Sequence, residues 1–177
     1  NNFAPARLAN KPEEIRAWAI ESMKKAAVVA KKLGVQTISG FTGSPIWRYL
    51  YSFPQTTEEM VEEGFQEVRR LWLPILDVFK ENGIRFALEV HPGEIAFDYY
   101  STKRLLEVFA DRPEFGLNFD PSHLLWQGVT PHIFLEDFID RIYNVHMKDA
   151  AVTLNGRTGL LGSHIDFGSI KRGWNFR

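Results

Sequence analysis

Three residues of metal-ligand type follow three apolar, strand-like segments of the sequence. They are Glu89 in LEVHPGE, Asp120 in NFDPSH and His146 in VHMKD. Each stands at the C-terminal end of its segment, at what the pattern predicts to be equivalent positions of successive strands. Because neighbouring strands lie about 4.8 Å apart, side chains that point inward from successive strands can meet at one cation. The spacing therefore predicts a shared metal site formed by Glu89, Asp120 and His146.

Two carboxylates and one imidazole make an oxygen-rich ligand set. Such a set favours Mn²⁺, Mg²⁺, Co²⁺ or Zn²⁺ over a soft metal, and the chain contains no Cys that could supply a thiolate. Mn²⁺ is the first choice, with the other three as alternatives. A His ligand also needs a hydrogen-bond partner that sets its tautomer, and we expect Asn118 and Asn144 to contribute to that role.

Two further histidines lie close to these ligands in the sequence. His91 is two residues beyond Glu89, and His123 is three residues beyond Asp120. We expect both to bind substrate hydroxyls at the mouth of the site. Ligation of a second metal and an ordinary structural role are the alternatives that the sequence leaves open.

Lys148 lies two residues beyond His146 and could offer positive charge to a developing enediolate. We therefore expect Lys148 to bind substrate, with a surface ion pair to Asp149 as the alternative. Phe41 and Trp47 could form an apolar wall for a sugar ring, although ordinary packing is the better interpretation for Trp47. The glycine-rich segment 152–177 reads as a long loop at the same face, where loops often cover substrates.

Helical and strand-like patterns alternate along the chain and must position these residues. The first helix is predicted from Asn10 and Pro12 to a stop at Gly34, and the second from Thr56, in capping-box spacing with Glu59, to a stop at Gly83. Pro74 should kink or divide the second helix. The other predicted elements are helices at 101–110 and 130–139 and strands at 35–41, 85–91, 115–120 and 142–148.

The alternation implies parallel β-α units, either in an open doubly wound sheet or in a (β/α)8 barrel. Each of the last three strands has one fully apolar face and one face that becomes polar toward its C-terminal end. A sheet covered by helices on both sides would be apolar on both faces, so the barrel is favoured. A complete barrel has eight strands and about 250 residues. We therefore predict that residues 1–177 form a single TIM-barrel domain truncated at both ends, an incomplete fragment of about four central units.

Composition narrows the range of functions. The 177 residues are 45% hydrophobic and 24% charged with a net charge of −1, which is typical of a globular protein without the basic excess of a nucleic-acid binder. No apolar run approaches the roughly 20 residues of a membrane span. The N-terminal residues lack signal-peptide features and there is no Cys, so we expect a cytoplasmic protein. The expected partner is a small sugar or polyol; a homo-oligomer remains open.

Four motifs, in this order, resemble one known family: LEVHPGEIAFD, GLNFDPSHLLWQGV, VHMKDA and LGSHIDFGSIKRGWNF. They are similar to the sugar phosphate isomerase/epimerase family, the xylose isomerase-like TIM barrels related to AP endonuclease family 2. The resemblance covers nearly the whole chain. It implies a divalent cation held by Glu, Asp, His and a second Glu. Glu89, Asp120 and His146 match the first three, the second Glu has no counterpart, and His123 matches a substrate-contacting His.

The resemblance also implies a reaction. We expect a metal-dependent isomerase or epimerase of a sugar, sugar phosphate or polyol, acting through a metal-stabilised enediolate. Glu89 would then be catalytic, exchanging a proton on one face of the substrate while the second Glu serves the other face. The alternatives are a hydride shift, an inosose-dehydratase-like lyase, a DNA-repair endonuclease, which the net charge disfavours, and a fragment without activity.

Overall fold

The computed structural model describes residues 4–50, 56–110 and 112–177. Its regular elements alternate between helix and strand, apart from two consecutive helices between the third and fourth strands and a final hairpin. The helices are α1 (Pro12–Leu33), α2 (Glu58–Asn82), α3 (Tyr99–Val108), α4 (Pro121–Leu125) and α5 (Pro131–Phe138). The strands are β1 (Thr37–Gly40), β2 (Arg85–Glu89), β3 (Phe115–Phe119), β4 (Ile142–Val145), β5 (Ala150–Val152) and β6 (Trp174–Phe176).

The first four strands form one parallel sheet in the order β1-β2-β3-β4. A doubly wound sheet reverses its strand order at a switch point, whereas a barrel adds each strand beside the preceding one. The sheet is also curled, since β1 and β4 approach each other without being hydrogen-bonded neighbours. The predicted fold class is confirmed: four parallel strands form a curled half-barrel of the (β/α)8 type.

The long helices begin and end near the predicted residues. Gly34 and Gly83 cap α1 and α2 with φ of 72° and 68°, a left-handed conformation that glycine adopts without steric cost. The N-cap of α2 is Thr57 rather than Thr56, and its hydroxyl accepts the backbone N–H of Met60. Of the two outcomes predicted at Pro74, a kink or a division, the division is wrong: α2 runs through Pro74 as one helix, because its buried face is held against the sheet on both sides of the proline.

The core lies between the helices and the apolar face of the sheet. Phe86 of β2 stands at its centre, fully buried, with its ring 4.5 Å from Trp72, 6.0 Å from Phe79 and 5.8 Å from Phe115 between centroids. Leu88 and other residues of the same strand parity are equally buried. This packing fixes the direction in which the alternate residues of β2, including Glu89, must point.

A bulge between β3 and β4 sets which polar residues lie side by side. Leu117 pairs with Ile142, but Asn118 pairs with Asn144, so Tyr143 is an extra residue on β4. Gly116 makes room for it, since a Cβ there would lie 2.3 Å from the Tyr143 ring. Asn144 is thereby brought level with Asn118 on the inner face.

Three elements lie where the sequence predicted none. The short helix α4 follows β3 directly and carries His123. Strands β5 and β6 form an antiparallel hairpin that begins just before the segment 152–177, which was expected to be loop, and ends inside it. Among the described residues, no helix combines the length and apolar character needed to cross a membrane.

Candidate metal centre

The carboxyl ends of β2, β3 and β4 present the predicted ligands at two levels rather than one. Glu89 is the last residue of β2 and pairs in register with Asn118, which in turn pairs with Asn144. Asp120 therefore lies two residues beyond the partner of Glu89, and His146 lies two residues beyond Asn144. The prediction that the ligands occupy equivalent strand positions is therefore wrong. Glu89 aligns with Asn118, and Asp120 is the next residue on the inner face beyond it.

Two of the predicted ligands nevertheless come together with a third ligand-type residue, His123. One side-chain atom each of Glu89, Asp120 and His123 lies within 4.8 Å of the other two, and all three residues are buried. His123 Nε2 lies 3.3 Å from Glu89 Oε1 and 3.4 Å from Asp120 Oδ2. This cluster of two carboxylates and one imidazole could hold a metal ion. His123, predicted to bind substrate, occupies a ligand-like place in it.

The two carboxylate oxygens of Asp120 have different roles: one caps a helix and the other faces the cluster. As the N-cap of α4, it accepts the backbone N–H of Ser122 at Oδ1 over 2.9 Å, and the Ser122 hydroxyl bonds the same oxygen. Its Oδ2 is buried without a hydrogen-bond donor of regular geometry and faces the cluster, with the Lys148 ammonium 2.9 Å away as an ion-pair partner. A buried carboxylate oxygen so directed fits a cation ligand.

His146 joins the cluster from the side of Glu89. Its Nδ1 lies 3.0 Å from Glu89 Oε2 and 2.9 Å from Asn118 Nδ2. When protonated, Nδ1 donates to Glu89; when unprotonated, it accepts from Asn118. Of the two expected asparagines, Asn118 contacts the imidazole directly, and Asn144 donates to Asn118 Oδ1 over 3.0 Å. The His146 side chain is 46% exposed, unlike the buried cluster.

Glu89 interacts with the hydrogen-bond donors and positive charges around it, and these keep its carboxyl group ionised. The hydrogen bond from His123 lowers the pKa of Glu89 to about 2; burial opposes this shift, and the charges of His146, His123 and Lys148 reinforce it. Asn118 adds a further donor to Glu89 Oε2 at 3.2 Å. Glu89 is therefore ionised at neutral pH, the state that a cation ligand requires.

His91 lies beside the cluster rather than in it. Its ring packs against His123, with 4.2 Å between centroids, and against Phe41 at 5.6 Å. Burial lowers the pKa of His91, and the charge of His123 lowers it further, so the neutral ring is favoured. The structure thus brings Phe41 and His91 to one side of the site. Trp47 packs against Phe97 instead, in agreement with the packing interpretation.

Lys148 contacts two residues of the cluster. Its ammonium contacts Asp120 Oδ2 and lies 3.1 Å from His123 Nε2. The alternative partner, Asp149, accepts the backbone N–H of Ala150 instead. Lys148 therefore points toward the candidate ligands, where it could meet a substrate oxygen.

Sequence reasoning missed Glu94, which lies in the loop five residues beyond Glu89. It is buried, and its Oε2 accepts the backbone N–H of Gly43 and the hydroxyl of Thr42, at 3.1 Å for the latter. It thus ties the loop after β1 to the loop after β2 at the mouth of the half-barrel. Burial raises the pKa of Glu94 above its ordinary value. The signal in the sequence that could have identified Glu94 is an acidic residue directly after Pro92 and Gly93 in a short loop.

Glu94→Gln should change how stability depends on pH. An acid whose pKa is raised by folding contributes stability that is fully present below its unfolded pKa and is lost as pH rises through the folded pKa. The wild type should therefore lose stability relative to Glu94→Gln between about pH 4 and pH 7. Urea unfolding of both proteins at the two pH values measures this difference. An equal difference at both values would contradict the assignment.

Taken together, the fold is that of a (β/α) barrel, with a carboxylate and imidazole cluster at the carboxyl ends of its strands. The chain belongs to the xylose isomerase-like TIM barrel family, whose model matches residues 2–175. The family resemblance drawn from the four motifs is confirmed. Members of this superfamily are mostly enzymes, among them epimerases, isomerases and dehydratases.

Two curated proteins are similar in sequence. The uncharacterized protein YfiH of Bacillus subtilis (strain 168) is 27% identical over 166 residues, covering 86% of this chain and 52% of that protein. Inosose dehydratase 2 of Bacillus cereus (strain ZK / E33L) is 23% identical over 130 residues, covering 73% of this chain and 41% of that protein. The chain thus spans about half the length of these relatives, or somewhat less.

Solved structures share the fold. The 3-keto-D-glucoside 4-epimerase YcjR of E. coli aligns with a TM-score of 0.63 at 15% identity, covering 82% of this chain and 54% of that one. The probable 3-DHS dehydratase AsbF of Bacillus anthracis aligns at 0.60 and 21% identity, over 83% and 47%. The IOLI protein, solved with a binding zinc atom, aligns at 0.58 and 19% identity, over 83% and 48%.

Proposed function

We propose that the intact protein is a divalent-metal-dependent isomerase or epimerase that acts on a sugar, a sugar phosphate or a polyol. The observation that carries this proposal is the convergence of Glu89, Asp120 and His123 within 4.8 Å. Membership in the xylose isomerase-like family supports it, as does the fold shared with a sugar epimerase.

The cation would be held by Glu89 and Asp120, and its imidazole ligand would be His123 of the same cluster or the predicted ligand His146, which lies beside Glu89. When bound, it would polarise neighbouring hydroxyl and carbonyl oxygens of the sugar and offset the charge left when a carbon-bound proton departs. Mn²⁺ remains the first choice for the oxygen-rich set. The zinc in the IOLI structure supports a divalent cation of this type.

Glu89 would move the proton. Its carboxylate is a weak base while His123 donates to it, since that hydrogen bond is the largest cause of its lowered pKa. A substrate hydroxyl that engaged His123 would remove this donor, and the pKa of Glu89 would rise toward its ordinary value. Proton abstraction would thus be coupled to substrate binding.

The remaining polar groups would bind and orient the substrate. His91 packs edge-to-face against His123 and is favoured in its neutral form, so that it can donate to or accept from a hydroxyl. Lys148 would supply positive charge beside the oxygen that becomes negative. Asn118 and Asn144 would keep His146 and Glu89 in place through their shared hydrogen bonds.

A dehydratase of the same superfamily is the second candidate. The similarity to inosose dehydratase 2 favours it, as does the fold shared with a probable 3-DHS dehydratase. The first step would be the same removal of a carbon-bound proton by Glu89. The two reactions would then differ in whether a proton returns or a neighbouring hydroxyl leaves.

Substrate assays on the intact protein separate these candidates. With Mn²⁺ present, we expect ketoses to be converted to their epimers or isomers and inosose to be unchanged. Turnover of inosose with loss of water would select the lyase instead. If neither substrate class is turned over, both assignments fail, and cleavage of an abasic DNA duplex would point to an endonuclease.

A further inference from the structure

The β5–β6 hairpin begins immediately after the candidate site and returns to it. Strand β5 starts at Ala150, two residues beyond Lys148, and pairs antiparallel with β6 so that Ala150 faces Phe176. The backbone N–H of Arg177 then donates to the Asp149 carbonyl over 3.0 Å. The chain therefore leaves the site for more than 20 residues and brings Phe176 back beside Lys148.

Aromatic packing fixes the hairpin to the half-barrel. The buried Trp174 of β6 stacks flat on Trp126, with 4.4 Å between ring centroids and 1° between planes. Trp174 also donates its indole N–H to the Leu160 carbonyl over 2.8 Å. Arg172 places its guanidinium over the rings of Trp174 and Phe167. Because these contacts lie around β6, the position of Phe176 is set by the hairpin.

Phe176 touches two residues of the candidate site. Its ring lies edge-on to His123, with 5.3 Å between centroids, and the Lys148 ammonium lies 4.4 Å from the centre of the same ring. An ammonium within about 6 Å of a ring centroid is attracted to the electron-rich face. The Lys148 ammonium therefore contacts the Phe176 ring as well as Asp120 Oδ2.

Lys148 needs such a support. Its side chain is 37% exposed, and a lysine carries a strongly hydrated ammonium on a flexible stem, so an unrestrained Lys148 would extend into solvent. We propose that Phe176 is a positioning residue that keeps the Lys148 ammonium over Asp120 and His123. This inference deepens the proposed function and rests on it for the role of Lys148, while the placement of Lys148 is testable without turnover.

The test is the rate at which an amine-reactive acylating reagent modifies Lys148 in the intact protein, followed by mass spectrometry of its peptide. Lys31, exposed on α1, serves as the internal reference in every sample. Phe176→Leu keeps apolar volume without a ring, and should raise the Lys148 rate about threefold to tenfold relative to Lys31. Phe176→Tyr keeps the ring and should react at the wild-type rate. Ile170→Ala, a 90% exposed position of the same segment, is the matched control and should also leave the rate unchanged.

Two results would overturn the proposal. A wild-type rate in Phe176→Leu would show that the ring does not restrain Lys148. An equal increase in Phe176→Leu and Phe176→Tyr would show that packing rather than the ring face matters. Failure of the proposed function is distinguishable, since it appears as absent turnover in the wild type while the labelling rates still decide the role of Phe176.

Discussion

Glu89→Gln is expected to reduce turnover of the intact protein by about 10³-fold or more. The substitution removes both the proton acceptor, worth about 10² to 10⁴-fold in rate, and a charged cation ligand. Gln has the same shape and can still accept a hydrogen bond from His123 at the amide oxygen, so the fold should stay near wild type. Initial rates with saturating Mn²⁺, together with circular dichroism, measure the two effects.

The matched control for this substitution is Glu63→Gln. Glu63 lies on α2 with its side chain exposed, and the same chemical change there should leave turnover unaltered. Undiminished turnover in Glu89→Gln would contradict the catalytic role of Glu89. Equal losses in both variants would show that the effect does not arise in the site.

Phe86→Ala should lower the free energy of unfolding by about 3–5 kcal/mol, which is the range for removing a buried aromatic ring and leaving a cavity. The Phe86 ring is fully buried between Trp72, Phe79 and Phe115. Because β2 also carries Glu89, loosening this core should disturb the site as well. Chemical denaturation of the intact protein measures the change.

Tyr100→Ala offers the comparison on an exposed ring. Tyr100 is 78% exposed on α3, so its loss should change the unfolding free energy by less than about 1 kcal/mol. A similar change in both variants would contradict the placement of the core between the sheet and the helices. A small change in Phe86→Ala alone would indicate that the site of Phe86 can collapse.

The fold could be predicted from the sequence to a large extent, because its signals are local. Alternating strand parity identified the buried face that contains Phe86 and Leu88, and with it the inward direction of Glu89. Gly34 and Gly83 ended the two long helices where expected. The polar face at the strand ends was sufficient to distinguish a barrel from a doubly wound sheet.

Which site residues lie side by side on neighbouring strands could not be predicted in the same way. Strands of a barrel are tilted and staggered, so residues at matching sequence positions need not be neighbours. Here Asn118 rather than Asp120 stands beside Glu89, and the bulge at Tyr143 aligns Asn144 with Asn118. Such offsets depend on the packing of two strands, which neither sequence segment contains alone.

Short elements and long-range contacts account for the other differences. The five-residue α4 has too few positions to show a helical period in the sequence. The three-residue strands of the hairpin likewise carry no periodicity. The contacts of His123 with Glu89 and of Phe176 with Lys148 join residues that are distant in sequence, so they emerge only with the fold.

Titration of the intact protein with Mn²⁺ by isothermal calorimetry tests the cation site most directly. The wild type should bind one ion, and Asp120→Asn should bind it at least about 10-fold more weakly, because the substitution removes a ligand charge at the buried oxygen that faces the cluster. Glu63→Gln, changed at an exposed carboxylate, should bind as the wild type does. Equal affinity in the wild type and Asp120→Asn, or no binding by the wild type, would contradict a cation site at the strand ends.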